Sequence, residues 1–332
     1  MEKDTAPLVS IIVPIYNGRD NVPKIINNLN SQTYPRMEVI MVVDSRSTDE
    51  SYDLAKKALD RLPEGSRVLL QTGTGKLGEA RNMGMDCACG DIIWFLDADD
   101  TPLPSLLSET VSIMKNYGSD IVFFNHYSVI PNDNSALSKV DEKKITVSHM
   151  TGDDGLKWRL GNKLPIPSWA MIFKRKLVSE NGLGFLTTNV AEDEDFAFRL
   201  LSEADEVSYY NKPLYIYSYN PDAWWRERNE IWEYIEIFLN LSDYFLDKNP
   251  EFEREFTPSV LRACIHTSTR SKIEIYKIVS KDERFRGLVR QNLPRNLEAF
   301  VFLHFPSVYY KIVRRIVDDR NTPKIFDSSC LE

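Results

Sequence analysis

The chain has 332 residues, 42% hydrophobic and 27% charged, with 49 acids against 41 lysines and arginines for a net charge of −8. That balance excludes a disordered chain and leaves enough surface to bury for one large domain or two modest ones. It argues against a dedicated nucleic-acid binder, whose footprint is a basic face, but not against a polyanionic substrate whose charge a metal neutralises.

In chain order, Val9–Val13 is a β-branched run ending at Pro14, with Tyr16 and Asn17 just beyond it. A tyrosine there is placed to stack on a nucleobase. Val22, Ile25, Ile26 and Leu29 then fall at i, i+3, i+4 and i+7, one face of a helix over 21–32. Val39–Val43 has no polar alternation and reads as a strand buried on both faces. Asp44 ends it, placed to accept hydrogen bonds from a base edge. Ser47-x-x-Glu50 has the form of a capping box for a helix carrying Leu54, Ala55, Ala58 and Leu59. Arg67–Gln71 is a third strand and Glu79–Ala88 a short helix. Its Arg81 offers paired donors to a diphosphate or makes a surface salt bridge. Ile92–Leu96 is a fourth strand, followed by a helical face of Leu106, Leu107, Thr110, Val111 and Met114 and a fifth strand over Ile121–Phe124.

Strands alternating with helices specify a mostly parallel α/β sheet with helices on both sides. Such sheets bind ligands at the carboxyl ends of their strands. Asp97-Ala98-Asp99-Asp100 directly follows the fourth strand. In an extended stretch Asp97 and Asp99 point the same way. Two carboxylates on one side form a hard-oxygen site for Mg²⁺ or Mn²⁺, shared with substrate phosphates. The other reading is a polar strand exit with solvated acids.

Residues 132–144 are polar and read as a loop. Ser168-Trp169 precedes Ile172-Phe173-Lys174-Arg175. Glu192-Asp193-Glu194-Asp195-Phe196 is an acidic cluster opening a helix, and acids in a first turn also favour the helix dipole. Val207–Tyr210 and Leu214–Tyr219 read as two strands. After a boundary near 222, beside Trp224-Trp225-Arg226, the period is helical: Ile231, Tyr234, Ile235, Phe238, Leu241, Phe245, and later Val308, Ile312, Val313 and Ile316. The expected domains are 1–222 and a helical C-terminal extension, 223–332.

These motifs, in this order, resemble the family-2 glycosyltransferases of the GT-A fold. The family's V-P-x-Y-N is matched by Val13–Asn17, its Q-T-Y by Gln32–Tyr34, and its V-V-D-D-G-S-T-D by Val42–Asp49. Its A-R-N-x-G is present as Ala80–Gly84, its F-L-D-x-D-D as Phe95–Asp100, and its E-D-x-x-F as Glu192–Phe196. The resemblance covers about residues 7–220. It implies an inverting transferase that moves a sugar from a nucleoside-diphosphate sugar, with a UDP-sugar the expected donor, to a glycan or lipid-linked glycan. Surface or capsular polysaccharide synthesis is the implied pathway.

The resemblance assigns Pro14, Tyr16, Asn17 and Asp44 to the nucleoside pocket and Arg81 near it or the diphosphate. Asp97 and Asp99 become the D-x-D element, with Asp99 the direct ligand of Mn²⁺ or Mg²⁺ and Asp97 beside it. Asp193 becomes the catalytic base. Trp169 stacks on an acceptor sugar or belongs to the core, and Glu192 lies on the acceptor side. Ser45 and Arg46 depart from the family pattern, replacing its second acid and its glycine. Arg46 contacts the donor or faces water.

Two rivals are a nucleotidyltransferase and a non-catalytic glycan-binding protein. The first usually has a Gly-rich basic loop after its first strand, where this chain has Pro14-Ile15-Tyr16-Asn17-Gly18.

The start Met1-Glu2-Lys3-Asp4 is acidic and no apolar run reaches the ~18 residues of a spanning helix. A cytoplasmic protein is expected. Residues 305–320 either lie on the inner face of an anionic membrane as an interfacial helix or pack on their own domain. The cysteines, Cys87, Cys89, Cys264 and Cys330, are too scattered for a disulfide framework. The four histidines form no metal-spaced pair.

Overall fold

A computed structural model describes residues 6–129, 144–218, 231–270 and 273–316. They divide into two compact units, one within residues up to 218 and one from 231 onward, with Leu160–Asn162 grouped with the second. The boundary near 222, the Trp224-Trp225-Arg226 stretch and the 132–143 part of the expected loop lie outside the described residues.

Among the described residues the first unit forms a nine-stranded sheet flanked by helices. Its parallel core is β1 (Val9–Ile15), β2 (Met37–Asp44), β3 (Arg67–Gln71) and β4 (Ile92–Phe95), in the order β3-β2-β1-β4. The order reverses at β1, so the carboxyl ends of β1, β2 and β4 open onto one crevice. Pro14 sits in central β1 without disrupting the sheet. β4 pairs only Val9–Ile12 of that strand, so beyond Ile12 its edge on that side is open.

Helices α1 (Val22–Asn30), α2 (Ser51–Ala58), α3 (Leu77–Cys87) and α4 (Leu106–Tyr117) stand where the apolar periods place them. The capping box does not form. Glu50 at the α2 N-cap has φ 64° and no side-chain cap. Ser47 instead accepts a hydrogen bond from the Asn17 backbone N–H at 3.1 Å, tying the end of β2 to the end of β1.

The other half of the sheet was less legible. β8 (Met171–Lys174) lies antiparallel between β4 and β6 (Ile121–Val129), where the sequence marks no strand. The two strands expected over 207–219 are one, β9 (Glu206–Ser218), kept continuous by register shifts opposite Phe124–His126. β7 (Val147–Thr151) and β5 (Thr101–Pro102) pair with it antiparallel.

Helices α5 (Gly152–Leu160), α6 (Arg175–Asn181) and α7 (Glu192–Ser202) complete the unit. The described residues of the second unit from 231 onward form helices: α8 (Ile231–Lys248), α9 (Pro250–Arg270), α10 (Ile273–Lys281), α11 (Glu283–Asn292), α12 (Leu297–His304) and α13 (Pro306–Ile316). Its core includes Phe238, Phe245, Phe252 and Phe256. Among the described residues no helix is long and apolar enough to cross a membrane.

Candidate active site

The A-R-N-x-G motif lies on α3, and three of its residues have separate structural jobs. A Cβ on Gly84 would fall 2.3 Å from Ile12 Cγ2, so only glycine lets α3 press onto β1. Asn82 pairs with Phe185 as a backbone would. Its Oδ1 accepts from the Phe185 N–H at 2.8 Å and its Nδ2 donates to the Phe185 carbonyl at 2.9 Å. Phe185 stacks on Phe196 of α7, with ring centroids 3.9 Å apart. Asn82 therefore fixes the segment that delivers the start of α7 to α3.

Arg81 is the centre of the site. Its side chain is 1% exposed, so it is not a surface salt bridge. Nη1 donates to Asp193 Oδ1 at 2.6 Å and to Glu192 Oε1 at 3.4 Å, while Nη2 reaches Asp97 Oδ1 at 3.5 Å. Its guanidinium also lies over the Phe95 and Phe185 rings, at 5.8 and 5.2 Å. Burial alone would push this cation's pKa down, but the three carboxylates outweigh burial and hold it up. Arg81 is thus turned towards the acids of α7 and the β4 exit.

Asp97 and Asp99 do not share an extended stretch. The chain turns at Ala98-Asp99, with the Asp100 N–H donating to the Asp97 carbonyl at 3.3 Å. Asp97 is left partly buried against Arg81, and Asp99 is exposed. The turn is imposed by Asp100. Its carboxylate is buried and accepts from the Tyr215 hydroxyl and the Ser218 N–H of β9, both at 2.8 Å. Ser218 Oγ donates to the Asp99 carbonyl at 3.0 Å. β9 therefore sets where Asp99 stands.

Among the described residues no group of three or more acids, histidines or cysteines is arranged to hold a metal ion. Among the described residues Asp99 has no hydrogen bond or ion pair to its carboxylate, and Asp97 has only the long contact to Arg81. Two lightly engaged carboxylates suit a hard divalent cation that takes its remaining ligands from phosphate and water. Burial pushes Asp97 up to about 6, with Asp99 and Asp193 adding to it against Arg81.

Glu192 and Asp193 are the first two residues of α7. Asp193 keeps Oδ2 without a hydrogen bond among the described residues. Glu192 is pushed up to about 7, chiefly by burial and then by Asp193, against Arg81. The folded chain therefore holds a proton that the unfolded chain releases near 4.5, and stability falls as pH rises from about 4.5 to about 7. Glu192→Gln keeps the shape without the charge. Its melting temperature should exceed wild type at pH 8 in EDTA and differ little at pH 5. Equal melting temperatures at pH 8 would remove this account of Glu192.

At the end of β1, Tyr16 is 62% exposed. Asn17 adopts a left-handed φ of 45°, accepts from the Thr48 N–H at 2.9 Å and donates to Ser47. It locks the β1 and β2 exits together. Asp44 is buried at the end of β2, where Arg46 covers its carboxylate. Of the two readings for Trp169, the structure realises the core one. It is 3% exposed, stacked on Tyr215 with centroids 4.3 Å apart, and its carbonyl accepts from Trp94 Nε1 at 3.0 Å.

The structure thus brings Arg81, Asp97, Glu192 and Asp193 together and sets Asp99 beside them, with Tyr16 and the Asp44–Arg46 pair at neighbouring strand ends. Asn82, Asp100 and Tyr215 are the residues that position these groups. Asn82 and Asp100 lie inside recognisable motifs, but nothing in the sequence marks Tyr215.

Comparison with known proteins gives consistent results. The profile of Glycosyl transferase family 2 matches residues 10–182, more than half of the chain. The glycosyltransferase AglE of Haloferax volcanii is 34% identical over 141 residues, which cover 41% of this chain and 45% of AglE. The match therefore spans less than half of that relative's length. Among solved structures, residues 1–349 of S. aureus TarS with UDP-GlcNAc superpose with a TM-score of 0.71 at 20% identity, covering 93% of this chain and 90% of that one. The mannosyltransferase PcManGT from Pyrobaculum calidifontis, in complex with GDP-Man and Mn²⁺, gives 0.52 at 17% identity, covering 94% and 88%. These last two likenesses speak to the fold. With its profile match, its motifs and its sheet all in agreement, the chain belongs to glycosyl transferase family 2 and has the GT-A fold.

Proposed function

We propose that this glycosyltransferase moves a sugar, with inversion, from a UDP-sugar to a glycan or lipid-linked glycan in the assembly of a surface or capsular polysaccharide. The observation that carries the reaction type is the Arg81 cluster. It draws Asp193 and Asp97, 96 positions apart in sequence, onto one guanidinium at the carboxyl end of β4.

A sugar hydroxyl is a poor nucleophile until a carboxylate takes its proton during attack. Asp193 is the proposed base. Arg81 orients it through Oδ1, which leaves Oδ2 to accept the hydroxyl proton. Attack on the face opposite the departing diphosphate inverts the anomeric carbon, so an α-linked donor gives a β-linked product. Asp99, with Asp97 beside it, would hold Mn²⁺ or Mg²⁺. Such an ion supplies neutralisation of the diphosphate leaving group. The ligands in the neighbours support this reading: TarS holds UDP-GlcNAc, and PcManGT holds GDP-Man and Mn²⁺. TarS is a poly(ribitol-phosphate) β-N-acetylglucosaminyltransferase, which favours an N-acetylhexosamine among the sugars to be tried. For contact with an anionic membrane, α13 offers an exposed Val308 and Lys311.

The decisive assay incubates the purified chain with nucleotide-sugars and Mn²⁺ and follows nucleoside-diphosphate release. Release that depends on divalent metal is expected. No release from any donor would favour a non-catalytic glycan-binding protein. Asp99→Ala should abolish the Mn²⁺ dependence of UDP binding measured by calorimetry. Unchanged metal dependence would place the ligand elsewhere.

A further inference from the structure

The Asp44 carboxylate is the group expected to read the nucleobase, yet in this chain it faces another side chain. Arg46 Nε donates to Asp44 Oδ1 at 3.0 Å and Nη2 donates to Oδ2 at 2.5 Å, while the Arg46 backbone N–H donates to Oδ1 at 2.9 Å. The Asp44 side chain is 6% exposed and that of Arg46 is 55% exposed. The group that meets solvent at the end of β2 is therefore a hydrogen-bond donor where a bare carboxylate would be an acceptor.

The guanidinium is held on its other side as well. Nη2 donates to the Gly75 carbonyl at 2.7 Å and Nη1 to the Thr74 carbonyl at 3.2 Å. Gly75 has φ 68°, and a Cβ there would fall 1.5 Å from Nη2. Glu79 ties the same loop from α3, accepting from Thr74 Oγ1 at 2.7 Å and the Gly75 N–H at 3.0 Å. A guanidinium has five N–H groups. Four are used, and one N–H of Nη1 has no partner among the described residues. Tyr16 is among its electrostatic neighbours.

Resting on the donor reading above, we propose that Arg46 determines nucleobase specificity. Its remaining N–H donates to a base carbonyl oxygen and so selects keto bases, with O4 of uracil or thymine or O6 of guanine, over amino bases. Asp44 then acts as a positioning residue that orients the guanidinium. Cytosine or adenine would present an amino group to it, donor against donor, and leave the charged donor unpaired. The strand order places β2 two strands from β4, about 10 Å away. That separates Arg46 from the D-x-D end by the span of a ribose and base, so it meets the base and not the diphosphate.

The test is calorimetric titration of the full chain, with Mn²⁺, using UDP against CDP and GDP against ADP. Wild type should bind the keto member of at least one pair about 10-fold more tightly or better. Arg46→Met should bring that ratio within about two-fold, chiefly by weakening the keto nucleotide. Arg46→Lys keeps a cation beside Asp44 and guards against a folding defect. It too should lose most of the preference, because one ammonium cannot hold Asp44, two loop carbonyls and the base together. A preference retained in both variants overturns the proposal. Equal weakening of both members of a pair also overturns it, by placing the guanidinium on the diphosphate. If wild type binds none of the four nucleotides, the donor reading itself fails and this inference falls with it.

Discussion

Asp193→Asn is expected to lower sugar transfer by about 10³-fold while leaving UDP affinity within a factor of about two. The amide keeps the size of the carboxylate and can still accept from Arg81 through its carbonyl oxygen, so the 2.6 Å contact has a substitute. What it cannot do is take a proton from the acceptor hydroxyl. In the proposed reading the nucleotide binds at the ends of β1, β2 and β4 without using Asp193, so binding and turnover should separate. Single-turnover transfer and calorimetry on the same preparation check both halves. Full transfer activity would remove Asp193 as the base. Loss of UDP binding together with transfer would show a structural role instead.

The second large effect is on Arg81. Arg81→Met should cost about 3–5 kcal/mol of stability, as expected for removing one partner from a buried ionic cluster. Asp97, Glu192 and Asp193 would be left facing one another without their cation, and the Phe95 and Phe185 rings would lose the charge over their faces. In a unit of about 200 residues this lowers the melting temperature by about 10 °C. Measured in EDTA, the deficit should shrink as pH falls from 8 to 5, because Glu192 and Asp97 are the carboxyls pushed up to about 7 and about 6 and are neutralised first. A pH-independent deficit would mean that packing, not charge, is what Arg81 supplies. Arg81→Lys should be milder in stability and still severe in transfer. One ammonium cannot reach Asp193 and Asp97 as the two guanidinium nitrogens do.

Much of this architecture is legible in the residues because it depends on local rules. Val39–Val43 had to be a buried strand, since no polar residue interrupts it. Val22, Ile25, Ile26 and Leu29 had to form one buried helical face, and they do. β8 was illegible because Met171–Lys174 is only four residues long, and a run that short carries too few side chains to show a period. The Ser47–Glu50 capping box failed for a tertiary reason. Ser47 is used by Asn17 across the strand ends, so it has no role at the helix start.

The candidate site divides along the same line. Motif order along the chain was enough to identify the family and to single out the candidate carboxylates, because residue type and spacing are properties of the chain itself. Their partners were not. Arg81 meets Asp193 across 112 positions, and Asp100 meets Tyr215 across 115. No local period encodes such a contact. Only the packing of α3 on β1, through Gly84, and the closing of β9 over the Asp97–Asp100 turn determine it. Arg46 is the sharpest case. From the sequence it is a departure from a motif, free to meet the donor or water. In the fold it covers Asp44 and turns an acceptor into a donor, because the neighbouring loop approaches closely at a glycine and leaves the guanidinium one place to lie.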